Sequence, residues 1–387
     1  MRGLPVTFWY VWAGALINRL GGFVYTFLAL YLTQARHFTV AEAGLMVSLY
    51  GLGSIAAGPV GGFFADRFGR RVTMLAGFSL GAAAMLNLGF ARGRWHIAVA
   101  TLLLGFLNDM YRPAQQATVA DVVPAEERTR AYGYLYWAVN LGFAGAAMIA
   151  GFLADVSYTW LFIGDAATTL LCGLVIYWKV PETHPERHVE AHARSRPSPF
   201  IPLRDGSYMA FIVAQMMCIL VFTQSNSTLP IDMRAHGVAP KLYGTLIAIN
   251  GVMIVLLQPM AIAVVQRFSR TRVLAVGALL TGLGFGLNAL GHSAGWYAFT
   301  ILVWTSGELA FSPVTPTVVA DLAPPSLRGT YQGVLQMAWG LGACLAPAIG
   351  GPVLGHFGNH ALWGGCFALC ILSAILHLGR RERPRVG

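Results

Sequence analysis

Apolar residues gather into blocks of about twenty along the chain, long enough to cross a hydrocarbon layer of roughly 30 Å as a helix. Lipid offers no partner to backbone polar groups, so each block must satisfy its own by becoming helical. The period-two alternation of an outer-membrane barrel is absent. The pattern predicts spans near Phe8–Leu32, Ala41–Ala65, Val72–Ala91, Trp95–Val119, Ala131–Ala154 and Tyr158–Trp178. A second set follows near Ser207–Leu229, Leu242–Val265, Val273–Leu290, Trp296–Val319, Tyr331–Gly355 and Ala361–Leu378.

The two sets are related. Displacing the chain by 200 residues lays Pro113, Asp121, Pro124, Arg128 and Gly133 on Pro313, Asp321, Pro324, Arg328 and Gly333. Leu135, Leu141, Gly142 and Gly151 meet identical residues at the same offset, as do Gly44, Arg67, Phe68, Arg70 and Gly77. Such agreement in one register marks an internal duplication. The expected fold class is an all-α membrane protein with 12 transmembrane helices as two pseudo-symmetric six-helix bundles. Residues 1–180 would form the first bundle, 181–206 a cytoplasmic linker and 207–387 the second. His184, His188 and His192 recur every four residues in that linker. Nothing nearby completes a metal-ligand set, so a solvated linker is expected and no metal is assigned.

Composition agrees with the pattern. The chain is 56% hydrophobic and 11% charged, against roughly 45–50% and about 25% in soluble domains. Its net charge of +10 does not point to nucleic acid, because the basic residues sit in short loops and form no stripe with interleaved aromatics. Those loops set the orientation instead. Arg36, Arg92, Arg94, Arg234 and Lys241 fall on one side, and Arg19 and Arg112 fall within spans. The remainder of the 26 Lys and Arg lie at the termini, in the even-numbered loops and in the linker. The positive-inside rule then places both termini in the cytoplasm of a bacterial-type inner membrane. Met1-Arg2-Gly3-Leu4-Pro5 runs straight into a span, so no cleaved leader is expected. Cys172, Cys218, Cys344, Cys366 and Cys370 all lie in apolar blocks and read as packing thiols.

Between spans two and three stands Gly62-Phe63-Phe64-Ala65-Asp66-Arg67-Phe68-Gly69-Arg70-Arg71. It resembles the G-x-L-A-D-R-x-G-R-K signature of the major facilitator superfamily, with Phe64 for Leu and Arg71 for Lys. The resemblance implies that Gly62, Asp66, Arg67, Gly69, Arg70 and Arg71 form a cytoplasmic gate, a charge clasp between the halves. The chemistry suits that role, since Asp66 can accept from N–H groups at a helix start or pair with an arginine. A purely topological anchor of positive charge is the alternative. In the second-half copy Gln266 replaces the aspartate. Arg112-Pro113-Ala114-Gln115 looks like the family's fourth-helix R-x-x-Q motif, with Gln116 where a Gly should follow. Gly342 to Gly351 is similar to a pattern associated with antiporters, with Ala346 for one Gly. The equivalent in span five is Ala146-Ala147, without proline.

Ionisable side chains inside a bilayer are costly and read first as functional. The resemblance implies that spans one, four, seven and ten line a central cavity. Those spans supply Asn18 and Arg19; Asn108, Asp109, Arg112, Gln115 and Gln116; Gln215, Gln224 and Asn226; and Glu308. At the 200-residue offset Glu308 lies over Asn108, next to Asp109, so the two acids should approach a pseudo-twofold axis from opposite halves. We expect Glu308 or Asp109 to carry a proton, with Arg19 or Arg112 as counter-charge; a static buried ion pair is the alternative. Tyr136, Trp304 and Trp339 lie deep enough to stack on a substrate or to pack. Asp165 follows Gly164, but Phe162 breaks the Gly-x-Gly-Asp pattern of intramembrane aspartyl proteases, leaving a packing or hydrogen-bonding role.

The two lysines, Lys179 and Lys241, follow no phosphate loop, and neither H-E-x-x-H nor G-x-S-x-G occurs. The chain is therefore expected to be no enzyme and to need no cofactor, with a proton gradient as energy source. The leading expectation is a secondary active transporter performing proton-coupled efflux of small amphipathic, drug-like compounds by alternating access, resembling the twelve-span drug:proton antiporter branch. A transporter of one polar metabolite (sugar, peptide or organic anion) is the second, and a membrane receptor or intramembrane enzyme the third. Expected partners are a small-molecule substrate, protons and the lipid bilayer. One chain with two halves already makes a complete carrier, so a monomer is expected.

Overall fold

Helices account for all the regular structure in the computed structural model, which describes residues 3–22, 24, 28, 31–156, 158–184, 200–238 and 240–380. Linker residues His188 and His192 and the basic tail at 381–387 lie outside the described residues. The chain divides into two units. The first comprises Met1–Pro202 with Val319–Gly340, and the second Leu203–Val318 with Leu341–Gly387.

In the first unit α1 covers Val6–Leu20 and ends at Gly21. The Val24 N–H donates to Asp165 Oδ2 at 3.0 Å, so Asp165 serves as a hydrogen-bond partner for backbone. A π-helical turn, Tyr31–Ala35, precedes α2 (Val40–Phe68). Thr39 and Glu42 start α2 with a reciprocal capping box, the Thr39 hydroxyl accepting from Glu42 N–H and Glu42 accepting from Thr39 N–H. Then come α3 (Arg70–Phe90), α4 (Arg94–Asp109), α5 (Tyr111–Val122), α6 (Arg128–Val156) and α7 (Tyr158–Lys179). The sequence pattern read α4 and α5 as one span. Their separation at Met110 has a local cause: Pro113 lacks the N–H that would bond the Asp109 carbonyl. α2 packs along α4, and α1 along α6 and α7. Gly53 and Gly105 allow the first approach, since a Cβ on either would strike the facing backbone at Leu102 or Tyr50. Phe8 and Val11 of α1, Met74 and Phe78 of α3, and Cys172 and Ile176 of α7 form its core.

In the second unit a short turn, Ile201–Arg204, leads to α8 (Gly206–Phe222). A 3-10 turn at Thr223–Asn226 separates it from α9 (Thr228–Ala235). Next are α10 (Pro240–Val265), α11 (Arg270–Gly286), α12 (Ala294–Leu322) and α13 (Arg328–Gly379), the end of α12 from Val319 and the start of α13 up to Gly340 belonging to the first unit. α13 breaks at Gly358, whose φ of 79° suits only a residue without Cβ, and its two arms are the last two spans of the sequence reading. Phe285, Trp304 and Trp363 stack in the core of this unit. The surface is apolar to a degree that water would not tolerate. Trp95 is 86% exposed, and Leu256, Met260 and Ile375 also face outward. Seven helices among the described residues are long and apolar enough to cross a membrane.

Candidate functional site

The Gly62–Arg71 motif ends α2 and begins α3, and its aspartate points at the start of another helix. Asp66 accepts from the N–H groups of Gly329 (2.9 Å) and Thr330 (2.6 Å) and from the Thr330 hydroxyl (2.6 Å). These are free donors in the first turn of α13, where the helix dipole also favours an anion. Close approach is required, because a Cβ on Gly62 would strike the Gly329 backbone and one on Gly329 the Asp66 carboxylate.

Arg70 neutralises that buried acid. Its guanidinium is 0% exposed and donates to Asp66 Oδ1 (2.6 Å), Asp121 Oδ2 (3.1 Å) and the carbonyls of Ala65 and Pro325. Two further pairs repeat each other across the 200-residue offset: Arg328 reaches Asp121 Oδ1 at 2.7 Å and Arg128 reaches Asp321 Oδ1 at 2.8 Å. Glu182 accepts from the first N–H groups of α3 at Arg70 (2.8 Å) and Arg71 (3.2 Å). Gly69, at φ 108°, lies so close that a side chain there would collide with Glu182. His184 sets Nε2 2.6 Å from the Asp66 carbonyl oxygen. The other two motif arginines do not join this network. Arg67 is exposed over the rings of Phe63 and Phe68, and Arg71 donates to the Tyr177 carbonyl while lying over its ring.

A second polar group lies deeper in the first unit. Asp109 ends α4, 4% exposed, and its Oδ1 lies 2.7 Å from Arg112 Nε. The Ser54 hydroxyl of α2 donates to its other oxygen. Asn108 donates to the Tyr50 hydroxyl at 3.1 Å. Asn18 bridges Thr169 and Tyr111, donating to the first and accepting from the second. Arg19 Nε, Gln115 Nε2 and Gln116 Oε1 are buried and meet no hydrogen-bond partner among the described residues. Tyr136 and Trp339 are half-buried in this unit.

The second unit keeps the same location with other chemistry. Glu308, 3% exposed on α12, accepts from Asn250 Nδ2 of α10 at 2.6 Å, and Asn250 also donates to Thr305. At the 200-residue offset Asn250 and Glu308 are the counterparts of Tyr50 and Asn108. Gln215 Nε2 is buried without a partner among the described residues. Gln224 is satisfied within the α8–α9 junction, donating to the Ala346 carbonyl and accepting from Thr228, while Asn226 is exposed. Trp304 belongs to the core, T-shaped on Phe222 and stacked on Phe285, and not to an open face.

The family model described as Major Facilitator Superfamily matches residues 11–231 and 211–387 of this chain. The chain belongs to the major facilitator superfamily. Relatives of this superfamily member include the MFS-type transporter YqjV of Bacillus subtilis (strain 168), 24% identical and covering 96% of this chain and 91% of the relative. A Na(+), Li(+), K(+)/H(+) antiporter of Planococcus maritimus is 26% identical, with 92% and 91% covered. Multidrug resistance protein MdtH of Yersinia pestis (strain Pestoides F) is 25% identical, with 87% and 84% covered. The fold is shared with the human organic anion transporter MFSD10, at TM-score 0.77 and 18% identity over 96% of this chain and 100% of that one. It is shared as well with a double tryptophan mutant of XylE, at TM-score 0.76 and 14% identity over 97% and 96%.

This superfamily member is accordingly a membrane-embedded secondary transporter with a small-molecule substrate, and not an enzyme. Its motif residues Gly62, Asp66, Gly69 and Arg70 lie together around the start of α13 and Glu182. Sequence reading placed Asp121, Arg128, Asp321 and Arg328 in the repeat but not in the clasp. Their reciprocal positions at the 200-residue offset, with opposite charges seven residues apart, were the available signal. Asn250, Ser54 and Tyr50 were missed, because single neutral polar residues in long apolar helices carry no pattern.

Proposed function

We propose that this transporter exports small amphipathic compounds in exchange for protons, with Glu308 as the proton-carrying group. The observation that carries the reading is a carboxylate buried mid-helix on α12 that receives a neutral amide, Asn250, while α12 itself contains no lysine or arginine. A carboxyl in such surroundings changes charge on taking up a proton, and that change alters what the neighbouring helices can hold. Asp109 has a different part. Its Oδ1 lies against Arg112 and its other oxygen accepts the Ser54 hydroxyl, so its part is to position Arg112. Gln115, Gln116 and Gln215 offer amide groups for a substrate or water, since buried polar atoms without partners are rare in finished packing. The cap that Asp66 places on α13 holds one conformation, and releasing it admits the other. A relative named as a cation/H(+) antiporter supports exchange, and one named as a multidrug resistance protein supports a drug-like cargo.

A second reading, transport of one organic anion or other polar metabolite, is favoured by Arg19, whose buried Nε meets no partner among the described residues. Proteoliposomes loaded at two pH gradients and supplied with cationic drugs, organic anions and Na+, Li+ or K+ separate these readings. Drug-dependent proton movement is expected for the native protein. The E308Q variant should lose gradient-driven flux while keeping substrate counterflow. Full gradient-driven flux in E308Q would end the proton-carrier assignment, and flux of organic anions alone would select the second reading.

A further inference from the structure

The three side chains with the strongest metal-binding chemistry outside the polar groups above meet at one end of the second unit, where α9 stops and α12 is about to begin. We propose that Asp232, His236 and His292 bind one divalent transition-metal ion of the zinc class. One ligand atom from each of the three lies within 4.8 Å of the other two. Asp232 and His236 are spaced i, i+4 at the end of α9, with Asp232 Oδ1 3.6 Å from His236 Nδ1. The His236 and His292 rings stack at 3.6 Å, inclined by 9°.

Three features separate this group from a chance surface cluster. His292 Nδ1 is buried and meets no hydrogen-bond partner among the described residues, so a nitrogen that needs a partner waits there. Asp232 is held from behind: its Oδ2 accepts from the Tyr297 hydroxyl (3.0 Å) and from Trp363 Nε1 (3.3 Å), which leaves Oδ1 turned toward His236. Such outer partners orient a ligating carboxylate. The stacking of the two rings also brings a nitrogen of each to the same side as Asp232, with the three ligand atoms within 4.8 Å of one another.

Two imidazoles and one carboxylate suit zinc, cobalt or nickel and not calcium or magnesium, which take oxygen ligands. Because each imidazole holds a metal in its own ring plane, one ring must rotate out of the 9° stack and the ligand atoms draw together to zinc–nitrogen bonds of about 2.0–2.1 Å. His236 sits exposed at the end of α9 and is free to make that adjustment. His236 Nδ1–H donates to the Asp232 carbonyl at 2.8 Å, so coordination through that atom shifts the ring to its Nε2–H tautomer. The bound ion ties the end of α9 to the turn between α11 and α12.

The test uses the full-length, untagged protein in detergent and does not depend on transport. Titration with Co2+ should give visible absorption bands that saturate at one equivalent and are displaced by Zn2+. The H236N/H292N variant should lose affinity by more than about 100-fold, although His184, His188 and His192 of the linker remain. Y297F keeps all three ligands and should bind one equivalent with affinity lowered by about 10–100-fold; it serves as the readout if the double variant does not fold. Equal Co2+ binding by the native protein and H236N/H292N, unchanged affinity in Y297F, or no saturable binding by the native protein overturns the proposal.

Discussion

Residues 62–71 and 262–271 occupy the same register in the two halves, and the structure treats them in opposite ways. In the first, Asp66 is 4% exposed and Arg70 0%, tied to the start of α13, to Asp121 and to the Pro325 carbonyl. In the second, Gln266, Arg267 and Phe268 are exposed, and Ser269 takes an ordinary φ of −64° where Gly69 has 108°. One carboxylate accounts for much of the difference. A buried arginine is tolerated only where acids and carbonyls surround it, and Gln266 brings no charge to such a site. The duplication therefore preserved a loop but kept the charge clasp in one copy.

Arg70→Ala should give the largest effect. It leaves Asp66 buried with no ion-pair partner among the described residues and Asp121 with Arg328 alone, a loss of about 3–5 kcal/mol, read as lowered thermal stability in detergent. A melting curve unchanged from the native protein would mean that the clasp is not a stabilising element. Asp66→Asn keeps the shape and removes the charge from three hydrogen bonds to α13, with an expected loss of about 1.5–3 kcal/mol. Its diagnostic is faster hydrogen exchange confined to the first turn of α13. Gln266→Asp should change stability by less than about 0.5 kcal/mol, because that position is open. A large gain there would show that the second copy can form a clasp when given its acid.

A deeper pair of positions shows the same divergence. Tyr50 and Asn108 touch in the first unit, and their counterparts Asn250 and Glu308 touch in the second. Geometry was inherited while chemistry was exchanged, which is how one half came to hold a buried acid facing an amide. The first half has its acid one residue further along, at Asp109, paired with Arg112.

Much of this was legible along the chain. Hydrophobic blocks fix where helices run because lipid leaves backbone groups no other partner. The repeat and the Gly62–Arg71 motif were visible as identities in register. The breaks were harder to see. Pro113 stands three residues after the interruption at Met110, whereas Pro313 and Pro316 sit inside an unbroken α12, so proline alone does not locate an interruption. Trp304 looked available to a substrate by depth, yet packing against Phe222 and Phe285 removes it from any open face.

Sequence alone determined the helical membrane architecture, the duplication and the family, because each is written in spacing or in residue identity at fixed offsets. The partners of each polar side chain were decided only by the tertiary structure. Asp66 finds donors at Gly329 and Thr330, Glu308 finds Asn250, and Asp232 gathers two histidines, all from residues distant in the chain or a helical turn away. Hydrogen bonds and ion pairs act over a few ångströms. Which groups come that close depends on helix packing that no local pattern encodes.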